Sequence, residues 1–205
     1  MEFPGLTAAC RGITDELRGS VAYLRDAAPD DRLYAVALVS REGLDYTTLY
    51  WAYHKPLVER QRTRSPDDYG KRMVDKWSYA EWILDADEVD TGLLQAALPE
   101  EPGYESSDYQ GLRGALMLWS LAGCLRQLAV EGVLEHRGRP VVAFCSLFDS
   151  GDAGWVERET ARHVNPPGVF AGFEAEHIAF RAARGDRPEP TPSPLQEYYR
   201  RLGCG

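Results

Sequence analysis

The segment from Lys76 to Trp82 constrains the fold most strongly, because its residues predict where a helix begins. Ser78 is a favourable N-cap, and Glu81 lies three residues later, where its carboxylate can accept a hydrogen bond from the Ser78 N–H. Trp77 and Trp82 then occupy the two positions of a hydrophobic staple. Two indoles at one corner can bury a large apolar area. The segment therefore predicts either a structural corner or the aromatic wall of a recognition pocket.

The charge of the chain argues against one large class of function. The 205 residues include 23 basic and 32 acidic side chains, which gives a net charge of −9. General nucleic-acid binding requires a basic surface, so we expect no nucleic-acid partner. The hydrophobic fraction of 44% is typical of a globular protein and is sufficient for a core.

The sequence predicts a cytoplasmic protein without a membrane partner. Its first residues show no basic region followed by an apolar run, and no apolar stretch is long enough to cross a bilayer. The four cysteines are scattered, without a Cys-x-x-Cys pair: Cys10, Cys124, Cys145 and Cys204. This pattern is typical of reduced thiols in a reducing compartment.

Hydrophobic periodicity predicts an alternation of helices and strands. Helices are expected over 7–28, 57–64, 92–98, 108–131, 152–164 and 169–184, with a loop over 65–76 and a further helix after Ser78. Strands are expected over 33–40, 46–53 and 140–148, the first two forming an antiparallel hairpin. The order predicts a single α+β domain, with helices packed on one face of a mainly antiparallel sheet.

The domain is expected to comprise residues 1–184, followed by a Pro-rich linker and a short C-terminal tail over 185–205. Prolines at 188, 190, 192 and 194 favour an extended, mobile segment. Residues 195–202 can form a short helix. Because the proline spacing opposes regular packing, we expect the tail to be removable without unfolding the domain.

An acidic segment follows the aromatic corner. Residues 85–108 contain eight acids and no Lys or Arg, whereas residues 55–76 contain seven bases and four acids. Asp87, Glu88 and Asp90 follow the two tryptophans in sequence. Acidic and aromatic side chains placed together suit recognition of a partner protein, since Trp and Tyr are favoured interface anchors. Tyr79 belongs to the same candidate surface. A solvated acidic loop is the alternative.

A second candidate site lies where the third strand ends and a helix begins. Asp149, Ser150 and Asp152 can cap this helix, or its free N–H groups can hold an anionic group. Trp155 lies in the first turn.

No residue pattern predicts catalysis, a cofactor or a metal site. The four histidines lack His or Cys partners at ligand spacing. Cys145 and His163 could form a nucleophile–base pair, but Cys145 lies in an apolar run, where cysteine usually serves as a small core residue.

Three segments resemble a bacterial family known only as a domain of unknown function, numbered 4303. They are the strand Leu33–Ser40, the motif Trp77-Ser78-Tyr79-Ala80-Glu81-Trp82, and Ser146–Ser150 followed by Asn165-Pro166. Their order and spacing agree over roughly 7–176. The basic stretch before the Trp motif and the Pro-rich tail depart from the family pattern. The resemblance implies no catalytic residues; it implies a genetic context near toxin or specialised-metabolism genes.

Two functional hypotheses follow. The first is a non-catalytic binding protein, with an immunity protein as one form, that recognises a protein partner through the acidic and aromatic surface. The second is a small ligand-binding or tailoring enzyme, with a pocket between the Trp77–Trp82 corner and the Asp149–Trp155 turn. A closed aromatic corner favours the first hypothesis, and a cleft that joins both motifs favours the second.

Overall fold

The chain forms an α+β structure, as the sequence predicts. The computed structural model describes residues 5–41, 46–65, 67–78, 82, 87–98, 111–148, 150–186 and 192–203. Within these residues the helices are α1 (Leu6–Ala27), α2 (His54–Arg62), α3 (Tyr69–Trp77), α4 (Gly92–Ala97), α5 (Leu112–Val130), α6 (Ala153–Val164), α7 (Pro167–Ala183) and α8 (Pro194–Gly203). The strands are β1 (Leu33–Ser40), β2 (Thr47–Tyr53), β3 (Asp87–Val89), β4 (Glu135–His136), β5 (Arg139–Pro140) and β6 (Val142–Leu147).

The main sheet has the strand order β3-β2-β1-β6. β2 pairs antiparallel with β1 and with β3, whereas β6 pairs parallel with β1. The predicted hairpin of the first two strands is therefore confirmed. β4 and β5 form a separate small hairpin. The mainly antiparallel character of the sheet is confirmed, with one parallel pair.

Helices cover both faces of this sheet rather than one. Every residue of β1 is buried, and its side chains divide between two apolar clusters. Leu33, Val36 and Leu38 belong to the cluster that includes α1, α4, α5 and α8. Ala35, Ala37 and Val39 belong to the cluster that includes α3, α7 and the two tryptophans. A central strand with no polar alternation is expected for a sheet covered on both sides.

The outer edge of β6 is closed by side chains of the helix that follows it. The Asn165 amide accepts from the Ala143 N–H at 3.0 Å and donates to the Ala143 carbonyl at 2.7 Å. Thr160 Oγ1 accepts from the Cys145 N–H at 2.9 Å and donates to the Val156 carbonyl at 2.7 Å. These side chains satisfy edge groups that a neighbouring strand would otherwise bond, which protects the edge from pairing with another chain.

The prediction that a helix begins at Ser78 is wrong. α3 ends at Trp77, and Ser78 is its C-cap, with its N–H bonded to the Val74 carbonyl at 3.0 Å. The cap that starts α3 is Asp68, which accepts from the Lys71 N–H at 3.1 Å. The expected loop over 65–76 is also wrong, because α3 occupies Tyr69–Trp77. Trp82 lies outside any helix, and Tyr79 and Glu81 fall outside the described residues.

The C-terminal helix packs against the body of the protein. α8 contacts α5, and its Leu195 and Tyr199 side chains are buried in the larger apolar cluster. The two residues are four apart and so lie on one face of the helix. This packing argues that removal of the segment after Gly185 lowers the stability of the protein.

Candidate functional site

The two tryptophans of the predicted site are core residues. Trp77 and Trp82 expose only 3% and 5% of their surface. The Trp77 ring meets Phe173 edge to face, with centroids 4.9 Å apart, and Trp82 meets Phe144 in the same way at 6.0 Å. Buried indoles cannot act as exposed interface anchors. This burial favours the interpretation as a structural corner over that of an exposed recognition surface.

Hydrogen bonds hold this aromatic corner in place. The Lys76 carbonyl accepts from Trp82 Nε1 and from the Tyr34 hydroxyl, each at 2.9 Å. The Glu176 carboxylate accepts from Trp77 Nε1 at 3.0 Å and from Lys76 Nζ at 2.6 Å. Burial raises the pKa of Tyr34, which keeps its hydroxyl protonated as a donor. Each indole N–H thus has an acceptor, as buried tryptophan requires.

A cleft of about 310 Å³ lies beside the aromatic corner. It is formed where the start of β1 meets α2, α3 and α7. Its walls mix aromatic, apolar and basic side chains: Arg32, Tyr34, His54, Leu57, Gln61, Tyr69, Arg72, Met73, Lys76 and Glu176. A concave site with apolar walls and a few convergent polar groups is the usual form of a ligand site.

The charge balance of this basic cleft is positive, in contrast to the net charge of the chain. Arg32, Arg72 and Lys76 face a single lining acid, Glu176, which already pairs with Lys76. Within the described part of the chain, neither Arg32 nor Arg72 has an ion-pair partner, and the Nε atom of each is buried without a hydrogen bond. A buried donor that bonds neither protein nor water costs free energy. An anionic group in the cleft would supply a counter-charge for the two guanidinium groups that line it.

Further arginines lie behind the cleft, between α2 and α3. Arg64 bonds both oxygens of the buried Asp75 carboxylate at 3.0 Å, and Arg60 donates to the Asp75 carbonyl at 3.1 Å. Arg60 Nε and Nη1 are also buried without a partner among the described residues. Asp75 therefore contacts two guanidinium groups but supplies a single carboxylate. This leaves surplus positive charge between α2 and α3.

The acidic residues of the predicted site lie elsewhere. Asp87 and Glu88 are exposed on β3, and Asp90 is exposed just beyond it. β3 is at the edge of the sheet, and none of the strands that the structure describes pairs with its outer side. Asp90 Oδ1 accepts from the Gly92 N–H at 2.9 Å, which fixes the turn into α4. These three side chains remain accessible to a partner.

The turn that precedes α6 holds the C-terminal helix rather than an open pocket. Asp152 is buried and accepts from Ser193 Oγ and Gln196 Nε2, each at 2.8 Å. It occupies the N-cap position of α6 without a side-chain capping bond. Trp155 is half-buried and packs edge to face on Tyr199, with centroids 5.5 Å apart.

Ser150 Oγ accepts from the Asp152 N–H at 3.1 Å, which shapes the same turn. Asp149 lies outside the described residues. No described residue of the turn lines the basic cleft. Among the described residues, this cleft therefore does not join the two predicted motifs.

The sequence patterns do not predict a buried polar network that joins Ser146, Glu157 and His177. Glu157 accepts from Ser146 Oγ at 2.7 Å and lies 2.7 Å from His177 Nε2, and Glu157 and His177 are each 3% exposed. Arg181 Nη1 approaches the same carboxylate at 3.6 Å. The carboxylate stands between the serine and the histidine, and the group is closed to solvent. This arrangement links β6, α6 and α7 and does not present a nucleophile to a substrate.

The sequence patterns do not predict the residues of the basic cleft either. Arg32 and Arg72 are 40 positions apart, and Glu176 comes from the far end of the chain. The available signal was the excess of bases over acids in residues 55–76. The excess of basic residues lies mostly on α2 and α3, the two helices that face the start of β1.

The described residues show neither a metal centre nor a membrane span. No group of three or more His, Cys, Asp or Glu side chains is placed to hold a metal ion in that part of the chain. Likewise, no helix among them is long and apolar enough to cross a membrane.

Comparison with known proteins identifies a family. Curated proteins and solved structures gave no match. A family model described as a domain of unknown function, DUF4303, matches residues 13–166, which include every residue lining the basic cleft except Glu176. The match covers three quarters of the chain. The chain therefore belongs to the DUF4303 family.

Proposed function

We propose that the protein is a binding protein whose ligand carries an anionic group that enters the basic cleft. One observation carries this proposal: the guanidinium groups of Arg32 and Arg72 line the cleft and have no ion-pair partner among the described residues. Guanidinium groups bond phosphate and carboxylate oxygens in pairs, with charge-assisted hydrogen bonds about twice as strong as neutral ones. An anion in the cleft would pair with cations that the described part of the protein leaves without a counter-charge.

The cleft walls add a second requirement for the ligand. Tyr34, Leu57 and Met73 supply aromatic and aliphatic surface beside the cations. The volume of about 310 Å³ lies at the lower end of the range for small-molecule sites. The ligand class that fits is a small organic phosphate or carboxylate with an apolar portion.

The state of the lining acid supports binding over catalysis. A general base needs a free carboxylate within reach of the substrate proton. Glu176 instead accepts hydrogen bonds from Trp77 and Lys76, and both bonds serve the aromatic corner. The carboxylate thus has a structural task that a proton-transfer step would disturb.

Calorimetric titration with phenyl phosphate tests the proposal. Phenyl phosphate should bind, whereas phenol, which lacks the anionic group, should not. Benzoate in a parallel titration distinguishes a phosphate site from a carboxylate site. Arg32→Gln and Arg72→Gln should each weaken binding by about tenfold or more, the effect of losing a charge-assisted bond of roughly 1.5–3 kcal/mol.

Arg11→Gln is the matched control, because Arg11 is exposed on α1 and lies outside the cleft. It should leave the affinity for phenyl phosphate unchanged. Equal affinity in the parent and in the Arg32→Gln/Arg72→Gln double variant would refute the cleft as the binding site. An equal loss in Arg11→Gln would show only nonspecific attraction.

A second candidate function is recognition of a basic protein partner by the acidic edge of the sheet. It is supported by the exposure of Asp87, Glu88 and Asp90 beside a strand edge with which none of the described strands pairs. An immunity protein that covers the basic surface of a toxin is one form of this function. The free thiols of Cys10, Cys124 and Cys145 favour the bacterial cytoplasm as the compartment.

Charge reversal tests this second function. A pull-down from native host cells would supply a partner, and stopped-flow mixing would then give association rates at low and high salt. Asp87→Lys, Glu88→Lys and Asp90→Lys together should slow association more than they speed dissociation, and high salt should reduce the difference. Reversal of exposed acids on α1 and α2, with Asp15→Lys and Glu59→Lys, is the control. Equal rates for parent and β3 variant at every salt concentration would remove the acidic edge from the mechanism.

A further inference from the structure

Two cysteines that are distant in sequence face each other between α1 and α5. The Cys124 thiol donates to the Cys10 carbonyl at 3.4 Å, which places the two residues in contact. Both are free thiols. Cys124 is buried, whereas Cys10 is only partly buried. A reagent from solvent can therefore meet the Cys10 side chain before the Cys124 side chain.

The surroundings make the two thiols chemically unequal. The hydrogen bond from Cys124, helped by a weaker one from Ser120, lowers the pKa of Cys10 to about 7, although burial opposes the change. The same bond and burial raise the pKa of Cys124. At neutral pH a large share of Cys10 is thiolate, which is the form that attacks oxidants, and Cys124 keeps its proton.

We propose that Cys10 and Cys124 form a redox-active dithiol, which a hydroperoxide converts into a disulfide between α1 and α5. Cys10 is the sulfur that reacts first, because it is accessible, and Cys124 is the resolving sulfur. Accessible thiolates next to a second cysteine are the usual form of thiols that respond to peroxide. The pair lies in the α1–α5 layer, on the opposite side of the sheet from the basic cleft.

The chemistry balances with one peroxide for each disulfide. The Cys10 thiolate attacks a peroxide oxygen, the O–O bond breaks, and the departing hydroxide takes up a proton to leave as water. Cys10 is then a sulfenic acid, oxidised by two electrons, and the peroxide is reduced. The Cys124 sulfur next attacks the Cys10 sulfur, the S–O bond breaks, and the thiol proton leaves with the hydroxide as a second water.

Cys145 provides an internal comparison. It is fully buried on β6, and burial raises its pKa, so it should neither form a thiolate at neutral pH nor meet peroxide. A difference in reactivity between Cys10 and Cys145 thus reflects their surroundings.

Mass spectrometry of the full chain tests the proposal in a Cys204→Ser background, so that the remaining cysteines are Cys10, Cys124 and Cys145. The reduced protein is treated with hydrogen peroxide at pH 7, the free thiols are blocked with N-ethylmaleimide, and the protein is digested without reductant. We expect a loss of two hydrogens, a linked peptide pair containing Cys10 and Cys124, and a blocked Cys145. Dithiothreitol should restore both thiols.

Two variants separate the roles of the sulfurs. In Cys124→Ser, dimedone should trap a sulfenic acid on Cys10, since the resolving thiol is gone. In Cys10→Ser, neither a disulfide nor a dimedone adduct should form at Cys124. The proposal fails if both thiols of the parent survive a peroxide concentration that oxidises free glutathione. It also fails if peroxide links either cysteine to Cys145 or to another chain instead.

Discussion

Glu176 on α7 accepts a hydrogen bond from the indole of Trp77 at the end of α3, with 3.0 Å between Oε2 and Nε1. The same carboxylate neutralises Lys76 at 2.6 Å. Among the described residues it is the only acid in the cleft lining. The other two lining cations, Arg32 and Arg72, are consequently left for a ligand. The carboxylate that fixes the aromatic corner thus also offsets one of the three cationic side chains of the cleft.

Removing the charge of Glu176 should tighten anion binding. In Glu176→Gln the amide oxygen can still accept from Trp77, but the negative charge is lost and Lys76 is released. Because opposite charges attract strongly in a partly buried site, we expect the affinity for phenyl phosphate to rise by about threefold or more. Calorimetric titration measures the change.

Glu174→Gln is the control for this variant, since Glu174 lies on α7 near Arg162 and not in the cleft. It should leave the affinity for phenyl phosphate unchanged. Unchanged or weaker binding in Glu176→Gln would show that the carboxylate does not oppose the ligand.

Truncation of Trp82 should destabilise the protein strongly. The indole is buried against Phe144 and donates to the Lys76 carbonyl, so Trp82→Ala would leave a cavity and remove one of the two hydrogen bonds to that carbonyl. We expect a loss of roughly 3–5 kcal/mol in the free energy of unfolding. Denaturant melts measure it. Tyr23→Ala, at a position where the ring is exposed, should change stability by no more than about 0.5 kcal/mol.

Equal stability of Trp82→Ala and the parent would instead return Trp82 to the candidate binding surface. The same series should include Ser78→Ala. Because Ser78 ends α3 rather than beginning a helix, Ser78→Ala should not show the loss of stability that removal of an N-cap causes.

Deletion of the residues after Gly185 should lower the melting midpoint. α8 buries Leu195 and Tyr199 against α5, and its Gln196 and the preceding Ser193 satisfy the buried Asp152. A deletion would expose apolar surface and leave that carboxylate without these partners. Leu195→Ala isolates the packing term and should cost about 2–5 kcal/mol.

The matched control for this variant is Leu93→Ala, because the Leu93 side chain on α4 is exposed. Thermal unfolding of the four proteins gives the comparison. A truncated chain that melts at the same temperature as the parent would show that the tail is dispensable.

Acid should destabilise the protein through His136. Its Nδ1 accepts from the Leu33 N–H at 2.9 Å, so this nitrogen must be unprotonated in the folded state. Burial, followed by the charges of Arg25 and Arg137, lowers the pKa of His136. A histidine with a lower pKa in the folded than in the unfolded state contributes stability above its ordinary pKa of about 6.5, and this contribution is lost as the pH falls below it.

Denaturant melts at pH 7 and pH 5 test this contribution. The free energy of unfolding should fall less between the two pH values in His136→Gln than in the parent. His54→Gln is the control, since that histidine is exposed. Identical pH dependence in the parent and in His136→Gln would contradict the assignment.

The sequence predicted the elements whose signal is local. The apolar run of β1, the periodicity of α1 and the Asn165-Pro166 stop of α6 were each correct. The Ser78–Glu81 pattern did not mark the start of a helix, because the same polar residues can also follow the end of a helix. The packing of α3 on α7, which no local pattern reveals, decides between a helix start and a helix end at Ser78. In the C-terminal tail, the prolines favoured the prediction of an extended segment, so the packing of Leu195 and Tyr199 into the core was not predicted.

The candidate site depends on contacts between distant residues, which explains why it was not predicted. Arg32 ends a loop, Arg72 lies within α3, and neither has a motif around it. Only the fold brings them to one cleft. The acidic residues of β3 were correctly expected at the surface, whereas the tryptophans beside them in sequence turned into the core.

The side-chain NMR signals of the arginines test the central claim most directly. In ¹⁵N-labelled protein, the Nε–Hε resonances of Arg32 and Arg72 can be assigned from the Arg32→Gln and Arg72→Gln variants. If the cleft binds an anion, titration with phenyl phosphate should move both resonances along one saturating curve, because each guanidinium group gains a charged partner. The Arg11 resonance should stay in place. Unmoved resonances, or equal and unsaturated shifts of all arginines, would contradict an anion site in this cleft.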